Sequence, residues 1–277
     1  MTDLAQWTSC RSPISEILIR EPEAVYQAMR AEYLSSHALA DFRANPWLYR
    51  KKQLGLVTDE DRPAYVIGRA AHTLILEGRD AFERSYAIGG GPVNPKTGEV
   101  FGTRTKAYQE WADAQGKPVL SHDQASLVER LALAIHEHAH ARDLLTDGIP
   151  EGVVRAEYGG VPSQIRIDWF NNQRGIVDLK TCDNLSWLEA DARTYGYAHQ
   201  MAFYRAVLSR ACGVNLPVHL IAVEKREPYR VGVWSVSDQV LALTERENLQ
   251  AITRLRNCRA SDTWPTGYEE PRVFDFI

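Results

Sequence analysis

The stretch from Gln164 to Thr181 constrains the fold more than any other part of the chain. Two runs of alternating character flank Asn171-Asn172-Gln173-Arg174-Gly175. The Asn and Gly residues of that loop tolerate the positive φ of a tight reversal, so the segment is predicted to be a β-hairpin. With the reversal centred on Gln173, Asp168 lies across from Asp178 and Arg166 across from Lys180, all four on one face. Ile165, Ile167 and Trp169 then oppose Thr181, Leu179 and Val177, an apolar second face expected to pack on helices.

Carboxylates placed directly opposite one another sit with their Cβ atoms about 5 Å apart and repel. A divalent cation would relieve that repulsion: hard ions such as Mg²⁺ take one or two carboxylates and complete their shell with water and substrate phosphate. Lys180 would then steady an attacking water and offset charge building on a phosphate. The set fits metal-dependent phosphodiester hydrolysis. The same four charges, alternating in sign, would equally make the wet face of a sheet with no ligand, and spacing does not choose between the two.

The rest of the chain gives context. Its 277 residues suffice for one substantial core, read as a single domain: a helical N-terminal part over residues 1–60, a core over 61–236, and a C-terminal helix and tail over 237–277. Net charge is −4, with 32 basic against 36 acidic residues, which excludes a uniformly basic DNA-coating protein. Affinity for nucleic acid would have to come from local clusters and a metal bridge. The N-terminus lacks a basic segment followed by an apolar run, and no stretch approaches the ~20 apolar residues of a membrane span, so a cytoplasmic location without membrane contact is expected. Cys10, Cys182, Cys212 and Cys258 are far apart and form no Cys-x-x-Cys pair, so no iron–sulfur cluster is expected.

In chain order, residues 22–55 read as short helices, with Ser35 or Ser36 capping one and Asn45-Pro46 separating it from the next. Ala64 to Leu76 is strongly helical, its apolar surface formed by Val66, Ile67, Ala70, Ala71, Leu74 and Ile75, with His72 on the flank. Residues 89–103 are rich in Gly and Pro and are expected to lack regular structure. Arg104 and Lys106 open the next helix, where they are placed to meet a phosphate. Ser121 caps a predicted helix reaching about Leu145, which contains His136-Glu137-His138-Ala139-His140. That run satisfies His-Glu-x-x-His, the zinc peptidase pattern of two histidines one helical turn apart, though no third-ligand segment follows. A helix over 185–212 would bring Arg193, Tyr197, Gln200 and Tyr204 onto one face. Two more strands, 218–225 and 229–236, and a final helix to about Cys258 complete the reading.

Asp168, followed after ten residues by Asp178-Leu179-Lys180, resembles the core motif of the PD-(D/E)XK nuclease superfamily, and within it the RecE-type and lambda-type phage exonucleases. Gln200-Met201-Ala202-Phe203-Tyr204 resembles the Gln-x-x-x-Tyr helix that follows the core in that branch. Gly68-Arg69-Ala70-Ala71-His72-Thr73-Leu74 resembles its metal-binding histidine helix, and Tyr33 to Phe42 running into Asn45-Pro46 resembles its N-terminal segment. The resemblance implies an α/β, restriction-endonuclease-like core, a central mixed sheet flanked by helices with a helical N-terminal region. It implies Mg²⁺ or Mn²⁺ held by His72, Asp168, Asp178 and the Leu179 carbonyl, with Lys180, Gln200 and Tyr204 at the phosphate. Glu157 is a further candidate for a second metal or its water, and Arg104, Lys106, Arg166 and Arg193 are candidate DNA contacts. The implied activity is 5′-to-3′ exonuclease action on linear double-stranded DNA in phage-type recombination, by a homo-oligomeric ring working with a single-strand annealing protein. A non-catalytic DNA-binding or assembly subunit of the same fold is the alternative.

Overall fold

The computed structural model describes residues 17–58, 63–273 and 275. Pro22 opens the N-terminal helix α1 (Glu23–Ala28), and polar caps open α2 (Ser36–Ala44) and α3 (Pro46–Gln53), in the places expected. Ser35 accepts from the Ala38 amide and Asn45 from the Leu48 amide, each satisfying a first-turn donor that the helix itself leaves free. Helix α4 (Pro63–His72) gives way at His72 to a π-helical turn, Thr73–Glu77, and α5 (Arg79–Ser85) follows. Two short strands, β1 (Ala87–Ile88) and β2 (Val119–Leu120), pair in parallel around α6 (Lys106–Ala114). Residues 89–103 hold an isolated bridge between Val93 and Val100 and no helix or strand.

Beyond β2 lie α7 (His122–Glu137) and α8 (Ala139–Leu144) where the sequence predicted one continuous helix. The break is at His138, which is extended at φ −77° and ψ 109°, and whose Nδ1 accepts from the Ala141 amide. The histidine thus caps α8 instead of continuing α7.

Five strands then form the main sheet in chain order: β3 (Ile149–Tyr158), β4 (Val161–Asn171), β5 (Gly175–Cys182), β6 (Val218–Glu224) and β7 (Val231–Ser235). All neighbours are antiparallel except β5 and β6, which run parallel. A parallel step needs a long crossover, supplied here by α9 (Leu188–Thr194) and α10 (Tyr197–Cys212). These two replace the single predicted helix over 185–212, because Gly196 is left-handed at φ 69° and breaks it. Helix α11 (Asp238–Ser261), capped by Ser237, closes the fold. The architecture is the mixed sheet with helices on both faces and a helical N-terminal region that the sequence implied.

Strand periodicity divides the core in two. Ile176, Val218, Leu220 and Ala222 pack with residues of α2, α10 and α11. Their neighbours Val177, Leu179, Ile221 and Val223 pack with residues of α4, α5, α7 and α8.

The hairpin register holds where it was expected to, with Trp169 paired to Val177 and Asn171 to Gly175. It does not hold along the whole length. No β4–β5 pairing continues past Trp169 and Val177, and the two strands part. Ile165 and Ile167 join the α10 core while Val177 and Leu179 join the α4–α7 core, so the single apolar face predicted for the hairpin is instead shared between two cores.

Of the Asn and Gly residues able to supply the positive φ of the turn, the glycine does so and the asparagines do not. Asn171 stays in the strand and its side chain organises the loop, Oδ1 accepting from the amides of Gln173 and Arg174 and Nδ2 donating to the carbonyls of Thr146 and Asp147. Gly175 takes the positive φ, +84°, and a Cβ there would come within 2.1 Å of the Pro217 carbonyl oxygen. Gly175→Ala therefore combines backbone strain with a clash against backbone that cannot swing away. It is expected to destabilise the protein by about 2–4 kcal/mol in urea unfolding. A loss below about 1 kcal/mol would show that the turn can relax.

Candidate metal centre

The site lies where β4 and β5 separate. Asp168, the first residue beyond the paired segment, accepts a 2.7 Å hydrogen bond at Oδ2 from the Leu179 backbone N–H. A side chain thus replaces the backbone partner that a continued ladder would have given. His72, at the last position of α4, places Nδ1 3.7 Å from the same Asp168 oxygen.

The third member is Glu151, on β3. The β3–β4 register pairs Pro150 with Trp169 and Gly152 with Ile167, which sets Glu151 opposite Asp168. One donor atom from each of His72, Glu151 and Asp168 lies within 4.8 Å of the others. Glu151 was missed in the sequence, yet a signal was there: counting back from the Gly159-Gly160 reversal brings it across from Asp168. Glu157, the acidic residue chosen instead, is exposed and pairs with Pro162 near that reversal. Six residues along the strand separate it from Glu151, about 20 Å, so the structure does not bring Glu157 to the site.

Arg166 is one of the residues proposed to touch DNA, but its Nε lies 2.6 Å from Glu151 Oε2 and its side chain is largely buried. It braces a carboxylate at the centre. Burial and the neighbouring Asp168 push the Glu151 carboxyl up to about 8, although Arg166 opposes the shift. At neutral pH and without a cation, Glu151 retains a proton.

On the other side of the opening, Asp178 and Lys180 project from β5 on the face covered by α10. Asp178 is 1% exposed. Its Oδ1 accepts from Gln200 Nε2 at 3.2 Å, and Gln200 Nε2 lies 3.0 Å from the Tyr204 hydroxyl, so the predicted Gln-x-x-x-Tyr pair meets the aspartate. Asp178 Oδ2 is 2.6 Å from Lys180 Nζ but, that ion pair apart, accepts no hydrogen bond. Burial, reinforced by Asp168, raises the Asp178 pKa. Burial works against the charge on Lys180, but the Asp178 and Asp168 carboxylates outweigh it and hold its pKa above the ordinary value. Negative charge thus gathers around one ammonium, the situation a divalent cation relieves.

The remaining candidates are peripheral. Arg104 and Arg193 are exposed, and Lys106 lies 3.5 Å from Glu110. Because Gly196 breaks the helix, Arg193 belongs to α9 and does not continue the face of Tyr197, Gln200 and Tyr204. The break at His138 also separates His136 and His140 onto different helices, so the zinc peptidase pattern loses the single helical turn it requires. Among the described residues, His72, Glu151 and Asp168 form the one group of three able to hold a metal ion. Cys182 and Cys258 are free thiols, Cys212 Sγ lies 3.6 Å from the Val214 carbonyl oxygen, and Cys10 lies outside the described residues. No helix among the described residues is long and apolar enough to cross a membrane.

A sheet that opens between an aspartate and an Asp-Leu-Lys run, with a parallel crossover helix closing over the second acid, is the architecture of the PD-(D/E)XK class. Residues 35–274 match the family described as "PDDEXK-like domain of unknown function (DUF3799)". The chain belongs to that family. Among solved structures it is similar to a crystal structure from Eubacterium rectale described as a "putative exonuclease", with a TM-score of 0.67 and 18% sequence identity over 94% of this chain and 96% of that one. At that identity the likeness is one of fold. No curated protein matches the chain.

Proposed function

We propose that this protein is a metal-dependent nuclease that hydrolyses DNA phosphodiesters, acting as an exonuclease on linear duplex ends. The observation that carries the reading is the convergence of His72, Glu151 and Asp168 beside the buried Asp178–Lys180 pair. Membership of a PDDEXK-like family and the fold shared with the E. rectale protein support it.

The donors fit Mg²⁺ or Mn²⁺, with two carboxylates and an imidazole clustered within reach of one ion and Asp178 Oδ2 beside them engaged by the Lys180 ammonium alone. When bound, such an ion polarises a phosphoryl oxygen and makes its water a stronger nucleophile. The protein's own groups do the rest. The Leu179 amide fixes the Asp168 carboxylate, Arg166 braces Glu151, and the Leu179 carbonyl is the further donor we assign. Lys180 offers its ammonium protons to the phosphate as charge builds there, and Gln200, positioned by Tyr204, holds Asp178 in place. Arg104, Lys106 and Arg193 are read as outlying phosphate contacts.

The resemblance to RecE-type and lambda-type enzymes supports the finer reading: 5′-to-3′ action in phage-type recombination, a homo-oligomeric ring, and a single-strand annealing protein as partner. Incubation with linear and circular duplex DNA, with and without Mg²⁺ or Mn²⁺, tests the function. Loss of the linear form alone, and only with metal, is expected. Survival of both forms would overturn the nuclease, and cutting of the circle would make it an endonuclease.

A further inference from the structure

We propose that Tyr195 and Tyr197 form a stacking platform for the unpaired nucleobase adjoining the phosphate at Lys180. This deepens the nuclease reading and rests on it. The two rings are two residues apart, a spacing that turns side chains away from each other on a continuous helix. They meet here only because left-handed Gly196 breaks the chain between α9 and α10. Their centroids are 6.1 Å apart with the planes 26° from parallel.

The pair is connected to the chemistry on one side and open on the other. Lys180 Nζ lies 5.1 Å from the centre of the Tyr197 ring, so the inner tyrosine adjoins the ammonium assigned to the phosphate. Tyr195 is 66% exposed, leaving the outer ring available to solvent. Isolated exposed aromatics are ordinary on protein surfaces. A stacked pair leading outward from an active-site lysine has the layout of a strand path, charge at the phosphate and flat apolar rings beside it.

Every base has a π-face, so such a platform is tolerant of sequence. It is selective for pairing state, because a base stacked on tyrosine must first leave its own helix stack. The ligand class is therefore an unpaired nucleotide, in a single strand or at a frayed duplex end.

The test uses an oligonucleotide carrying 2-aminopurine at its terminus, titrated with the full-length protein in EDTA so that no cutting occurs. The wild-type protein should quench the probe as it stacks. Tyr195→Ala should lose the quench and bind about 5- to 150-fold more weakly, the equivalent of the stacking contribution per base. Tyr195→Phe should restore both. Unchanged quench and affinity in Tyr195→Ala, or no quench by the wild-type protein, overturns the platform. Wild-type cutting with Mg²⁺ or Mn²⁺ is measured in parallel. Cutting with an unchanged quench leaves the nuclease standing without the platform. A tyrosine-dependent quench with no cutting removes the nuclease and leaves a strand-binding site.

Discussion

Asp178→Asn is expected to reduce metal-dependent DNA hydrolysis about 10³-fold or more while leaving the protein folded. The substitution keeps the shape of the side chain and an oxygen able to accept from Gln200, but removes the negative charge facing Lys180 and the cleft. Burial disfavours that charge, but removing one partner of a buried ion pair leaves Lys180 with Asp168 alone to offset it, so a loss of about 2–4 kcal/mol in urea unfolding is expected, short of unfolding the protein. Lys180 loses its ion pair but keeps the Tyr197 ring beside it. Single-turnover cleavage together with unfolding curves would show this separation of activity from stability. A variant that cuts at near wild-type rate would remove Asp178 from the mechanism, and one that unfolds would mark the residue as structural.

Glu151→Gln should weaken Mn²⁺ or Mg²⁺ binding about 10- to 100-fold, measured by calorimetry, whereas Glu157→Gln should leave it unchanged. The pH dependence makes the assignment sharper. The Glu151 carboxyl rises from an ordinary value of 4.5 to about 8 in the folded protein. Between those values the folded state binds its proton more tightly than the unfolded state does, so this group favours the metal-free fold fully below about pH 4.5. That contribution is lost as pH climbs towards 8. The midpoint of thermal unfolding should accordingly fall across this window. Because metal must displace the proton, affinity should rise from pH 6 to 8, and saturating metal should flatten the stability profile. Glu151→Gln should abolish both trends. If the variant retained them, Glu151 would not be the titrating ligand.

Much of the strand that carries the candidate site was legible in the residues alone. Alternation placed Asp178 and Lys180 on one face of β5, and the turn chemistry of 171–175 fixed the pairing of Trp169 with Val177. The gap between β4 and β5 was not legible. Periodicity assumes that a ladder, once begun, continues, whereas here Ile167 and Leu179 are pulled into different cores. Glu151 escaped for a related reason. It faces Asp168 through the register of a neighbouring hairpin, and its own backbone is left-handed at φ 53°, so no pattern local to residues 149–152 marks it. The helix breaks at His138 and Gly196 were also invisible to periodicity. A left-handed glycine and a histidine turned into a cap interrupt helices whose composition would otherwise have let them run on.

The parting of β4 from β5 makes the centre a seam. One acid is carried by a strand rooted beneath α10, while the amide that holds it belongs to a residue rooted beneath α4 and α7. The width of the opening is therefore set by how two separate packings sit against each other. Substitutions deep in either one, touching neither ion nor DNA, would act on the chemistry by changing how far the seam gapes.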